Sequence, residues 1–301
     1  MKKLLFRIGF AAALLPALDV QLGAAVAPFV REAPAAAKSM LFPVRAPSGS
    51  ATVYLLGSVH LLPEASTLPA VVDSAFAKAG VVAFETSLDS LQMRAPELLA
   101  RAQYQNGATL RSSLSPAGAA KADSLLKTYG ISVDRVNQFK PWFVYLVMTQ
   151  LVLSKANFKA DYGVDMQLNA RAKQANKTIV GLEAVDFQLG LFDSISPADQ
   201  ERMLIDSDPP ESSVKQLQVI RDAWAAGDAA RLDSLINSEA SYTPTSLATL
   251  VTNRNKSWIP KIEQMLKGKS DALVVVGAAH LVGKEGVVEL LKAKGYLVEQ
   301  M

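Results

Sequence analysis

Four short runs of nearly unbroken apolar character, spread widely along the chain, limit its fold more than any other feature. They are Ala51–Leu56, Val81–Phe84, Thr178–Gly181 and Leu273–Val276. Strands buried on both faces read this way, and they belong to mostly parallel sheets covered by helices. Parallel neighbours need long crossovers, and the intervals here have room for them. A fifth candidate strand, Tyr296–Glu299, follows Gly295. The expected class is α/β.

The intervals read as helices. Leu68–Lys78 precedes the second strand. Ser115-Pro116 and Ser196-Pro197 each pair a capping serine with proline in the first turn, and Gly130 ends the first of these helices. Pro141–Ser154 is apolar all round and too short to span a bilayer, so it reads as a buried helix or as a hydrophobic substrate wall. Asp165–Asn176 feeds the third strand. Gly227-Asp228 breaks a helical stretch before Ala229–Ile236, and Ser257–Leu266 follows.

The N-terminus has the plan of a secretory signal peptide. Lys2, Lys3 and Arg7 precede a short apolar stretch, Ile8–Leu18, and small-x-small sites follow at Ala25-Val26-Ala27 and Ala35-Ala36-Ala37. The expectation is a signal peptide with a disordered leader over 1–37, cleaved on export to the periplasm or beyond, with an uncleaved membrane anchor as the alternative. Of the 31 basic and 28 acidic residues, four and two lie in 1–37, so the rest carries 27 and 26. That balance offers nothing to nucleic acid, and no membrane span is expected after cleavage.

Among 301 residues there is no cysteine, which excludes a disulfide scaffold, a thiol nucleophile and any cysteine-ligated metal. There are two histidines, and both sit in one repeated motif. Val53–Leu56 runs into Gly57-Ser58-Val59-His60-Leu61, and Leu273–Val276 runs into Gly277-Ala278-Ala279-His280-Leu281. Ligands bind where parallel strands end, and glycine there lets other groups approach closely. On neighbouring strands the two turns bring two imidazoles together. Two further strand ends supply carboxylates: Phe84 leads into Glu85, and Gly181-Leu182 into Glu183. A carboxylate at a buried sheet rim needs a cation, a metal or backbone donors. Two histidines with one or two carboxylates suit a divalent ion such as zinc, manganese, cobalt or iron, with a position left for water. The metal-free alternative makes His60 or His280 a general base oriented by Glu85. Ser58 and Glu183 are candidates for a supporting layer.

These residues resemble the TraB/GumN family. The resemblance is carried by the two Gly-x-x-His turns, by Phe84-Glu85 and by Asn253-Arg254-Asn255-Lys256-Ser257-Trp258. Gly163-Val164-Asp165, Gly181-Leu182-Glu183 with Gln188, Trp224 and Gly227-Asp228 fall in the matching order, and the likeness runs from about Met40 to the C-terminus. The family includes the animal Tiki proteases and is similar in fold to the haem-handling ChaN proteins and the erythromycin esterases. The resemblance implies one domain over 38–301: a mostly parallel sheet built from two halves, each carrying a Gly-x-x-His turn. Helices of about 100–160 and 190–266 are expected as an insertion covering the site. It implies metal-dependent proteolysis, with His60, Glu85 and His280 matching positions linked to metal binding and catalysis. Arg254 would be an arginine of the cleft, stabilising an oxyanion or holding a substrate carboxylate, or else a partner in a structural ion pair. Asn253 joins the supporting candidates. The two functional expectations are a metal-dependent hydrolase acting on a peptide or small molecule, and a binding protein that sequesters a peptide or haem in the same cleft, with His60 or His280 as axial ligand.

Overall fold

The computed structural model describes residues 38–49, 51–237 and 243–301. The expected leader, 1–37, lies outside them. The strands are β1 (Leu41–Arg45), β2 (Thr52–Ser58), β3 (Leu62–Pro63), β4 (Val81–Phe84), β5 (Phe158–Lys159), β6 (Thr178–Gly181), β7 (Ala272–Gly277) and β8 (Leu297–Val298). Six of them form the central sheet in the order β6-β4-β7-β2-β1-β8. The run β6-β4-β7-β2 is parallel, and β1 pairs antiparallel with both β2 and β8. The class is therefore α/β with a mixed, mostly parallel sheet and many helices. The second sheet, β3 with β5, is two residues wide.

All four apolar runs are strands. The central ones are buried as expected: β2 and β7 at every position, and β4 at every position but Val81. β6 is not; it is the edge strand of the sheet, with Thr178 and Gly181 exposed and Ile179 and Val180 half-buried, because no strand covers its outer side. β1 escaped the sequence reading because Pro43 sits at its centre and breaks the strand signal. The sheet tolerates that proline because β8 pairs only with Val44 and Arg45, beyond it.

The helices follow their capping chemistry. The side chain of Ser115 accepts from Gly118 N–H at the start of Pro116–Thr128, and that of Ser196 accepts from Asp199 N–H before Pro197–Ile205. Asp228 caps Ala229–Ile236 in the same way. Gly130 and Gly227 take positive φ where preceding helices end. Pro141–Lys155 is a buried helix, with Trp142 stacked on Phe192 at 5.1 Å between ring centroids. It forms the centre of two apolar clusters beside the sheet core. Among the described residues no helix is long and apolar enough to cross a membrane.

The topology positions the site. β7, from the far end of the sequence, inserts between β2 and β4. The C-terminal ends of four parallel strands therefore share one edge, and every charged candidate from the sequence follows one of those ends or faces it.

Candidate functional site

The two Gly-x-x-His turns lie on adjacent strands, staggered by one residue: Ser58 stands opposite Gly277, and Gly57 opposite Val276. The stagger gives the motifs different local structures. β2 runs on through Ser58 and places His60 in the link to β3, whereas β7 ends at Gly277 and His280 lies in the short helix Ala278–Leu281.

Gly277 marks where the turns meet. A methyl group on it would touch Glu85 Oε1 at 3.4 Å, His60 Nε2 at 3.5 Å and His280 Cδ2 at 3.6 Å. Both rings and the carboxylate thus border one small space. His60, Glu85 and His280 are all buried.

His60 is held from behind. Its Nδ1 lies 2.8 Å from Asp165 Oδ2, as a close ion pair rather than along an ideal hydrogen-bond line. Asp165 Oδ1 accepts from Ser58 Oγ at 3.1 Å. Asp165 is placed by the helix Val164–Gln174, whose entry is locked to the His60 turn: Val164 N–H donates to Val59 O, and a Cβ on Gly163 would lie 2.0 Å from the His60 carbonyl oxygen. Only glycine lets these backbones approach so closely. Burial opposes charge on His60, but Asp165, helped by Glu85, outweighs it and raises the pKa above the ordinary histidine value.

His280 has the opposite fate. Asn255 Nδ2 donates to Glu285 O, which leaves Asn255 Oδ1 to accept from His280 Nδ1–H at 2.6 Å. The other ring nitrogen, Nε2, is then a bare acceptor and faces Arg254 Nη1 at 3.1 Å. Burial and the guanidinium push its pKa down to about 3, so the ring is neutral. Trp258 packs against the ring, with centroids 4.6 Å apart.

Arg254 is the hub. Nε donates to Glu183 Oε1 at 2.8 Å; Nη2 donates to Glu85 Oε2 at 2.5 Å and Glu183 Oε2 at 2.9 Å; Nη1 donates to Leu250 O at 3.1 Å and faces His280 Nε2. All five guanidinium N–H groups are engaged inside the protein. As placed, the side chain holds Glu85, Glu183 and His280 together and has no N–H left over for a substrate oxyanion. Glu183 also accepts from Trp258 Nε1 and Gln188 Nε2. Despite burial, Glu85 is held well below the usual carboxylate range by Arg254, the two histidines and the Gly277 N–H.

The structure therefore brings together His60, Glu85, His280, Arg254 and Glu183, with Ser58 behind them. It does not bring Asn253, which is exposed on its helix. Two functional residues were missed. Asp165 stood in the Gly-Val-Asp string, but nothing in the sequence ties it to His60. Asn255 is two positions from Asn253, about 200° round the helix, which swaps the exposed face for the buried one.

The ligand set fits a divalent ion in one respect: each histidine is anchored through Nδ1, the usual orientation of metal-binding imidazoles. It fails in another. The Arg254 guanidinium, a cation, stands within hydrogen-bond distance of both Glu85 and His280 Nε2. Among the described residues, no three histidine or acidic side chains are grouped to hold a metal. As the side chains stand, they do not fit one.

The model of the TraB/PrgY/gumN family matches residues 42–300. The chain belongs to the TraB/PrgY/gumN family. Among its relatives, the YbaP protein of Escherichia coli strain K12, itself uncharacterized, is 26% identical over 165 residues, which is 54% of this chain and 60% of YbaP. The chain thus spans less than two thirds of the length of that relative. An uncharacterized protein of Treponema pallidum strain Nichols is 23% identical over 279 residues, 86% of this chain and 81% of its own length. No solved structure matches the chain. The TraB/PrgY/gumN match takes in all the residues of the cluster, from Ser58 to His280, and the relatives attach no activity to them.

Proposed function

We propose that this chain is a hydrolase of acyl bonds, acting on a peptide or a small amide or ester, with His60 as its proton-transfer group. The observation that carries the reading is the pair Asp165–His60, 2.8 Å apart and buried, with Nε2 turned to the space beside Gly277. Asp165 fixes the ring so that Nδ1 faces inward and Nε2 serves the substrate. In its neutral form, Nε2 takes a proton from a water whose oxygen bonds to the acyl carbon. The same proton then passes to the leaving nitrogen or oxygen as its bond to carbon breaks.

The other residues divide the remaining work. Glu85, ionised and fixed by Arg254 and Gly277 N–H, is no acid; it adds to the field that favours the protonated His60 formed during the reaction. His280 stays neutral and completes the wall. In this reading the two Gly-x-x-His turns are two halves of one site, and the helices of about 100–160 and 190–266 are its cover. The expected export to the periplasm would put peptides within reach.

The experiment is cleavage of a mixed peptide library by the full chain, read by mass spectrometry. Wild type is expected to release fragments and His60→Ala to release none. Equal cleavage by both contradicts the reading. Retention of peptides without any fragments favours the sequestering alternative.

A further inference from the structure

The place of Arg254 gives the site a property beyond hydrolysis. We infer that the Arg254 guanidinium is the resident cation of this cluster: it fills the seat between Glu85 and His280, keeps divalent metal out, and its removal opens a metal site made of His60, Glu85 and His280.

Three observations carry this. The first is charge. Glu85 and Glu183 are buried or nearly buried carboxylates with one guanidinium set between them, and a third, Asp165, stands behind His60, so the cluster is built to hold a cation. The second is the tautomer of His280. Asn255 Oδ1 accepts from Nδ1–H, and the Nε2 lone pair is aimed at a positive group, as it would be at a metal. The third is spacing. His280 Nε2 and Glu85 Oε1 are 3.8 Å apart, a gap that one ion with bonds near 2 Å to each can bridge. His60 Nε2 borders the same space from the other side.

The backbone that presents Arg254 also stands out. A π-helical turn, Ala248–Thr252, leads directly into the helix Asn253–Leu266, and the carbonyl of Leu250 within that turn accepts from Arg254 Nη1. Such turns carry an extra residue and cluster at functional sites. Here the turn supplies a backbone acceptor for the guanidinium.

The inference concerns cation occupancy and does not rest on turnover, so the test reads binding. Zinc chloride and manganese chloride are titrated separately into the full chain, followed by calorimetry and by metal analysis after dialysis. Wild type and Arg254→Lys, which keeps a positive charge in the seat, are expected to take up no ion that depends on His280. Arg254→Met, close in length and uncharged, is expected to bind one equivalent, with affinity roughly 100-fold or more above wild type. The double variant Arg254→Met/His280→Gln is expected to lose it. Circular dichroism follows folding; an Arg254→Met chain that folds only when zinc is added also supports the inference. Wild type that binds one equivalent, lost in His280→Gln, overturns it. So does an Arg254→Met chain that takes up none.

Discussion

At the scale of residues, two histidines from one sequence motif have been given opposite electrostatic characters. Asp165 stands behind His60 and favours its charged form; burial and the Arg254 guanidinium oppose that form in His280. The difference comes from partners far away in sequence, which is why the motif alone could not show it. It yields a direct prediction. Asp165→Asn keeps an acceptor for His60 Nδ1–H but removes the charge that raises the pKa. The rise of hydrolysis with pH, set by deprotonation of His60, then moves to lower pH by roughly one unit or more, while the maximal rate falls because the protonated intermediate is less stabilised. A pH–rate profile of the two proteins checks this; an unshifted profile in Asp165→Asn would count against the pairing.

At the scale of elements, the site is made by how backbones meet at one sheet edge. Two glycines separate packing from function. At Gly163 an added methyl group would press on the His60 carbonyl at 2.0 Å, so Gly163→Ala is expected to destabilise by about 1–3 kcal/mol and to displace the His60 turn. At Gly277 the nearest atoms would lie at 3.4–3.6 Å, ordinary contact, and φ is −50°, which alanine adopts freely. Gly277→Ala should keep stability within about 0.5 kcal/mol of wild type and still abolish cleavage, because its methyl fills the space between His60 and Glu85. Urea unfolding beside a cleavage assay separates the two. The strands of this edge were legible in the sequence because unbroken apolar runs leave few other readings, and Glu85, Glu183 and both histidines stood out as polar groups at their ends. β1 was hidden by Pro43. The partners Asp165 and Asn255 were hidden because they sit on helices, whose sequence pattern tells which face is buried but not which strand end it meets. The guanidinium's five engaged N–H groups depend on the folded helix around Arg254, whereas the family resemblance implies for it an oxyanion stabiliser or a substrate clamp, with a structural ion pair as the alternative.

At the scale of the whole molecule, the same pairs set how stability responds to pH. His280, with a folded pKa of about 3 against 6.5 unfolded, contributes stability that is present above about pH 6.5 and lost as pH falls. Glu85, also lowered, adds to that loss below about pH 4.5. His60, raised, contributes below about pH 6.5 and loses its contribution as pH climbs through its folded value. From these groups, stability should peak near pH 6.5 and fall on both sides. Urea midpoints across that range check the peak, and His60→Gln should flatten only the alkaline side. The opposite characters of the two rings can be measured without a substrate, because the chain has two histidines in all. In a histidine-selective NMR titration of the full chain, His60→Gln assigns the signals by the one that disappears. His60 is expected to titrate above 6.5, and His280 to stay neutral, with its proton on Nδ1, down to the onset of acid unfolding. Two rings titrating together near 6.5, or His280 titrating above His60, would contradict this.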